Sequence, residues 1–359
     1  MSSADFRTII LIISGILKRG SRIVHNHARD STVNCMVDFY TMYSITPRTI
    51  IDAQKMKTYQ NNPEWKLFFP AEIFVKTIEQ IVREEYIPFK QTSIHLDIYE
   101  QSKKSPVIVY CHGLSSSGRM MANFALPLFQ KGYTVICPDL PGFGISPDNR
   151  GSIPIPELAE ALKAVVMEAH KYSNGTVYLT GISLGGTLTY YATCLGAPVT
   201  KIACLNLLNM ADEINLNATH RPWLISKLKK LVKLISGITP ETSLPLQFFL
   251  NPDRLSSQKS IVDQFKTNPL VVKAYTLRAL NSLLSAAPTI PFDQFDLCPI
   301  LVMHGDKDEL IPEWITKANF DLIKGEKKYV TLKGGEHIPL NVTAFRNYIN
   351  ELANWFLTY

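Results

Sequence analysis

Short apolar runs of strand length recur along the chain, separated by stretches in which apolar residues return every third or fourth position. Thr176-Val177-Tyr178-Leu179-Thr180 is a β-branched run. Pro299-Ile300-Leu301-Val302-Met303 reads as a buried strand, and Lys328-Tyr329-Val330-Thr331-Leu332 as the last one. Tyr133-Thr134-Val135-Ile136 and the apolar stretch from Ile202 to Leu208 have the same character, and Tyr86-Ile87-Pro88-Phe89 is the first core strand expected. Helical spacing predicts elements over 33–43 and 71–85, with Pro63 and Pro70 marking a break between them. After Arg221-Pro222-Trp223 the residues Leu224, Ile225, Leu228, Leu231, Val232 and Ile235 share one helical face that ends at Gly237. Lys227, Lys229, Lys230 and Lys233 occupy the other.

The N-terminal run Ile9 to Leu17 is apolar on every side of a helix and is followed by Lys18, Arg19 and Arg22. It is too short to span a bilayer and lacks both a basic leader and an Ala-x-Ala site, so no cleavable signal peptide is expected. A helix apolar all round must be buried or dip into a membrane surface.

Composition fits a folded enzyme, with 46% hydrophobic and 19% charged residues over 359 positions. A formal charge of +6 is modest for this length, and no long run of like charge points to a nucleic-acid partner. The six cysteines, at 35, 111, 137, 194, 204 and 298, show no Cys-x-x-Cys spacing, which removes zinc and redox-motif readings and fits a reducing compartment. His25 and His27 have no further ligand cluster beside them. Gly142-Phe143-Gly144 fails as a dinucleotide fingerprint because Pro147 stands where the third glycine belongs. There is no Walker loop and no His-Glu-x-x-His site, so no cofactor or metal is expected. The sequons at Asn174, Asn217 and Asn341 decide nothing.

The chemistry concentrates at strand ends. Gly181-Ile182-Ser183-Leu184-Gly185 follows the run at 176–180 and has the form of a nucleophile elbow, in which a serine is held on a sharp strand-to-helix turn. Gly181 and Gly185 remove Cβ atoms that would clash at the reversal, and Gly186 gives the following helix room to pack. The buried strand at 299–303 runs into His304-Gly305-Asp306-Lys307-Asp308, where a carboxylate can orient an imidazole. The last strand is followed by Gly334-Gly335-Glu336-His337, which makes His337 the natural base. The chain order serine, acid, histidine is that of one triad arrangement and not of the other common ones.

These motifs, over about residues 83–359, resemble the α/β-hydrolases, closest to the monoacylglycerol lipase and lysophospholipase branch. Val107 to Leu114 is similar to the strand and loop that supply one oxyanion donor, which the resemblance places on the backbone N–H of Leu114; the second falls on Leu184, after the nucleophile. The loop Pro138-Asp139-Leu140-Pro141-Gly142-Phe143-Gly144 resembles the family's turn beside the active-site mouth, and Asp139 there is expected to be structural. Ile182 and Leu184 replace the histidine and methionine that many lipases of this branch carry beside the serine. Family spacing selects Asp308 as the acid over Asp306, with Asp212 or Glu213 as a third possibility at the end of the preceding strand.

The resemblance implies an α/β fold with a mostly parallel sheet, helices on both faces, a helical cap at about 211–297 and an N-terminal helical extension at 1–82. It implies a serine hydrolase in which Ser183, His337 and Asp308 cleave a carboxylic ester through an acyl-enzyme, with a monoacylglycerol or lysophospholipid as substrate. A thioesterase, peptidase or acyltransferase would use the same triad, and a non-catalytic binding protein would keep the scaffold. The expected setting is cytoplasmic or peripherally membrane-associated. Membrane contact would come through the N-terminal helix or through the lysines of the cap.

Overall fold

The computed structural model describes residues 57–69, 71–103, 105–212 and 222–357. The helices expected at 9–17 and 33–43, the pair His25 and His27, and Glu213 lie outside the described residues. In chain order the strands are β1 (Arg83–Phe89), β2 (Thr92–Tyr99), β3 (Val107–Cys111), β4 (Thr134–Asp139), β5 (Val177–Ile182), β6 (Lys201–Leu205), β7 (Ser243–Pro245), β8 (Ala274–Thr276), β9 (Ile300–Gly305) and β10 (Lys327–Leu332). The helices are α1 (Glu72–Ile81), α2 (Ala122–Gln130), α3 (Ile155–Ala169), α4 (Leu184–Cys194), α5 (Pro222–Ile238), α6 (Lys259–Thr267), α7 (Leu277–Ser285), α8 (Glu313–Leu322) and α9 (Val342–Leu357).

Eight strands form one sheet in the order β1-β2-β4-β3-β5-β6-β9-β10. β1 and β2 are an antiparallel hairpin, β2 joins β4 antiparallel, and every pairing from β4 to β10 is parallel. The central strands β3, β4, β5 and β9 are buried at every position, which is why they read as apolar runs without alternation. Helices supply the cover. Pro154 and Pro156 begin α3, and Ile155, Leu158, Ala159, Leu162, Val165, Val166 and Ala169 all turn inward at helical spacing. α3 packs on α4, while α9 packs on α2 and donates the Trp355 indole N–H to Ile202 O at 3.0 Å.

One boundary differs from the sequence expectation. The helix predicted over 71–85 stops at Ile81, because Arg83, Glu84 and Glu85 pair with Ile98, Asp97 and Leu96 as the start of β1. Tertiary partners decide this: the Glu84 carboxylate receives the Tyr59 N–H and reaches the His95 ring, both at 2.9 Å, so strand pairing overrides helical propensity.

The stretch from Tyr59 to Phe69 is packed against this end of the sheet. Tyr59 and Trp65 are fully buried around the guanidinium of Arg119, which lies 4.4 and 4.7 Å from their ring centres. Arg119 binds Asp97 through two nitrogens at 2.5 and 2.8 Å. Asp139 is structural here. It accepts the N–H groups of Gly118 and Ile145 and the Tyr59 hydroxyl, at 2.6, 3.0 and 2.8 Å.

Between β6 and β9 the chain builds α5, α6 and α7 with an antiparallel ribbon of β7 and β8. The ribbon is fastened to the main body: Thr276 donates to Gly151 O at 2.9 Å, and the Tyr275 and Ser115 hydroxyls meet at 2.7 Å. On α5, Val232 is buried while Leu234 and Ile238 are exposed. Lys229, expected on the polar face, donates to Ala211 O at 3.0 Å. Among the described residues, no helix is long and apolar enough to cross a membrane.

Candidate active site

The sheet order places β3 between β4 and β5, so the chain leaves β3 in one direction and returns on its other side. At such a switch point the loops following two neighbouring strands diverge and leave a crevice at their carboxyl ends. The register Cys111↔Gly181 brings those two strand ends level. The loop His112-Gly113-Leu114 and the turn at Ser183 therefore flank one crevice. A Cβ placed on Gly113 would stand 4.0 Å from Ser183 Oγ.

Ser183 sits between β5 and α4 with φ 58° and ψ −122°, a sparsely populated region for a non-glycine residue that costs about 1–3 kcal/mol. Its surroundings hold it there. The Ser183 N–H donates to Leu205 O at 2.8 Å, and Ser183 O accepts from Gly186 at 2.9 Å to begin the helix. A side chain at Gly185 would meet the carbonyl oxygens of Cys111 and His112 at 2.5 Å, and one at Gly181 would strike the backbone of Gly185.

The loops after β9 and β10 are brought together by the pairing Leu332↔Gly305 and by Lys307 donating to Gly335 O at 2.8 Å. This sets His337 Nδ1 2.9 Å from Asp308 Oδ2, with both side chains buried. Asp308 Oδ1 accepts the N–H groups of Leu310 and Ile311, each at 2.8 Å. Burial alone raises the Asp308 pKa, but the facing His337, the Ile311 N–H and the nearby His304 outweigh it and hold the carboxyl below its ordinary value. Asp306 is placed elsewhere, accepting the Gly334 N–H at 2.7 Å and lying 3.6 Å from Lys333.

Two residues outside the sequence reading complete this network. Asn206, at the end of β6 with φ 70°, points its amide nitrogen at His304 Nδ1 (3.0 Å) and Asp308 Oδ2 (3.2 Å). A carboxylate only accepts, so the Asn206 NH2 group faces it and His304 Nδ1 accepts as well. The other His304 nitrogen then carries the proton and donates to Ile311 O at 3.0 Å. Burial lowers the His304 pKa, in keeping with a neutral ring. The only local sign was a histidine in front of Gly305; nothing near Asn206 marked it.

His112 organises the opposite wall. Its Nε2 accepts the Leu140 N–H at 3.2 Å, so its Nδ1 donates to Gly113 O at 2.8 Å. In a trans peptide the C=O and the next N–H point in opposite directions, so the Leu114 N–H faces away from this imidazole. Ser183, Leu114 and His337 line one apolar cavity, while Ser183, Leu114 and Leu184 line a second. Phe68 and Phe69, from the stretch before α1, form part of the wall of the first cavity.

Away from the crevice, Glu84, His95 and Asp97 place possible ligand atoms within 4.8 Å of one another. The cation they hold is already part of the chain: both Asp97 oxygens bind Arg119, and the Arg119 Nη2 that donates to Asp97 Oδ1 also lies 3.4 Å from Glu84 Oε1. This cluster does not suit a metal ion.

Comparison with known proteins agrees with this architecture. A monoacylglycerol lipase of Mycolicibacterium smegmatis is 24% identical over 262 residues, covering 70% of this chain and 88% of that protein. A soluble variant of monoglyceride lipase from Saccharomyces cerevisiae, solved with a substrate analogue, aligns with a TM-score of 0.63 at 14% identity over 77% of this chain and 95% of its own. The monoacylglycerol lipase of Paleococcus ferrophilus gives 0.57 at 20% identity over 72% and 98%. The family model described as serine aminopeptidase S33 matches residues 102–342, a span that holds Ser183, Asp308 and His337, and the chain belongs to that family of α/β-hydrolases.

Proposed function

We propose that this hydrolase cleaves carboxylic esters carrying an apolar chain, through an acyl-enzyme on Ser183. The observation that carries the reading is the convergence on one crevice of a serine in a strained turn and a histidine whose far nitrogen is held by a buried carboxylate. His337 takes the Ser183 proton as Oγ attacks the ester carbonyl, and Asp308 holds the imidazole in the tautomer that leaves Nε2 free to accept. The N–H groups of Leu114 and Leu184 receive the developing oxyanion, the first turned outward by the His112–Gly113 bond. His337 then protonates the departing alcohol, and water cleaves the acyl-enzyme by the same route.

A peptidase reading follows from the family's description. An aminopeptidase has to recognise a free ammonium group, which calls for a carboxylate beside the scissile bond. Among the described residues lining the two cavities there is no Asp or Glu, which favours an ester. The test is hydrolysis of p-nitrophenyl esters from acetate to palmitate, alongside leucine p-nitroanilide, by the wild type and Ser183→Ala. Ester turnover lost in the variant, with the anilide untouched by either protein, supports the reading; anilide cleavage exceeding ester cleavage overturns it.

A further inference from the structure

Two cavities with mostly apolar walls share Ser183. The first is lined by His337, Met121, Phe124, Ile261 and Phe265 among others, and the second by Leu184, Leu208, Leu280, Leu283 and Leu284. Their empty volumes, open solvent at the mouths included, are about 700 and 750 Å³, so neither arm greatly exceeds the other. Leu114, Ser183 and Leu250 line both.

Polar groups are few in either arm. His337 is the one titratable side chain among the described lining residues. The Thr187 hydroxyl in the second arm already accepts the Leu208 N–H at 3.3 Å, Ser116 Oγ in the first faces Met120 Sδ at 3.6 Å, and the half-buried Asn123 amide is the remaining polar side chain of the first. A polyol or phosphate group bound in such walls would lose its water with little besides the Asn123 amide to replace it, whereas an alkyl or aryl group is favoured by its own burial. Resting on the ester-hydrolase reading above, we propose that the substrate is an ester apolar on both sides of the carbonyl, with a hydrophobic alcohol as well as a hydrophobic acyl group.

Proton transfer assigns the arms. Acylation forms the Ser183 Oγ–carbonyl bond and breaks the bond from carbonyl carbon to alcohol oxygen, and the proton taken from Ser183 passes through His337 to that oxygen. The alcohol must therefore lie on the side that His337 lines, which is the first arm. The acyl chain then occupies the second arm, under the leucines of α7.

The test is a matrix of kcat/KM values: butyrate esters of ethanol to octanol with 1-monobutyrin as the glycerol member, and ethyl esters of butyric to decanoic acid. Each methylene buried should raise kcat/KM by about two- to fourfold in both series. Monobutyrin should fall below propyl butyrate. Ile261→Trp should lower the octyl-to-ethyl ratio of the alcohol series, and Leu283→Trp the decanoate-to-butyrate ratio of the acyl series. A flat or falling alcohol series, or monobutyrin as the best butyrate, overturns the apolar-alcohol inference while leaving the ester-hydrolase reading intact. An exchange of the two variant effects overturns the arm assignment. No hydrolysis of any member overturns the reading beneath and this inference with it. The wild-type matrix alone decides the substrate class if either variant fails to fold.

Discussion

Replacing Asp308 with asparagine tests the most constrained contact of the site. Asp308 Oδ1 accepts two N–H groups, from Leu310 and Ile311, at 2.8 Å. An amide has to place its carbonyl oxygen there, which turns its NH2 group toward His337 Nδ1, 2.9 Å from the present Oδ2, and toward the Asn206 amide, 3.2 Å away. Facing a donor, Nδ1 can only accept, so the proton moves to Nε2 and the imidazole loses its ability to take the serine proton. A wrong tautomer of this kind lowers kcat by about 10⁴, equivalent to about 5 kcal/mol of transition-state stabilisation. The assay is kcat on p-nitrophenyl butyrate, with thermal unfolding to show that the variant is folded. Asp306→Asn, which alters a carboxylate bound to the Gly334 N–H, serves as the comparison. A folded Asp308→Asn protein within tenfold of wild type, or a larger loss in Asp306→Asn, refutes the reasoning.

Tyr275→Phe removes one side of the buried bond between the β7–β8 ribbon and the loop that follows Leu114; kcat should fall with little change in KM, and denaturant titration should show a loss of about 1–3 kcal/mol. Arg119→Met strands the buried Asp97 carboxylate, and chemical denaturation should report about 3–5 kcal/mol of lost stability. Burial lowers the His95 pKa, but Asp139 at 3.2 Å and Glu84 at 2.9 Å outweigh it and raise the ring to about 9. A group raised above its unfolded value of about 6.5 contributes fully below that pH, so the unfolding midpoint should decline as pH rises from about 6.5 to 9. His95→Gln should flatten that decline, and an unchanged slope would contradict it.

The strands were legible because the central ones are covered on both faces and show as unbroken apolar runs, as Val177–Ile182 and Ile300–Gly305 do. Ser183, Asp308 and His337 stood out for a related reason: each follows a strand within a short glycine-bearing turn, and such turns leave a local mark. What the sequence concealed depends on distant partners. The start of β1 at Arg83 reads as helix until Glu84 finds His95 and Tyr59. Asn206 gains its meaning from Asp308, which lies 102 residues further along. Phe68 and Phe69 belong to a stretch that exceeds the needs of a hydrolase core, and only the folded chain, which brings them to the same cavity as Leu255 and Phe265, makes them a wall of the crevice.

The central claim is that Ser183 is the nucleophile, and the most direct measurement is mass spectrometry of the intact protein and its peptides after treatment with a fluorophosphonate. The account predicts a single adduct on the peptide holding Gly181-Ile182-Ser183-Leu184-Gly185, absent in Ser183→Ala and formed far more slowly in Asp308→Asn. A folded wild type that takes no label, or a label carried on another residue and retained in Ser183→Ala, would contradict it.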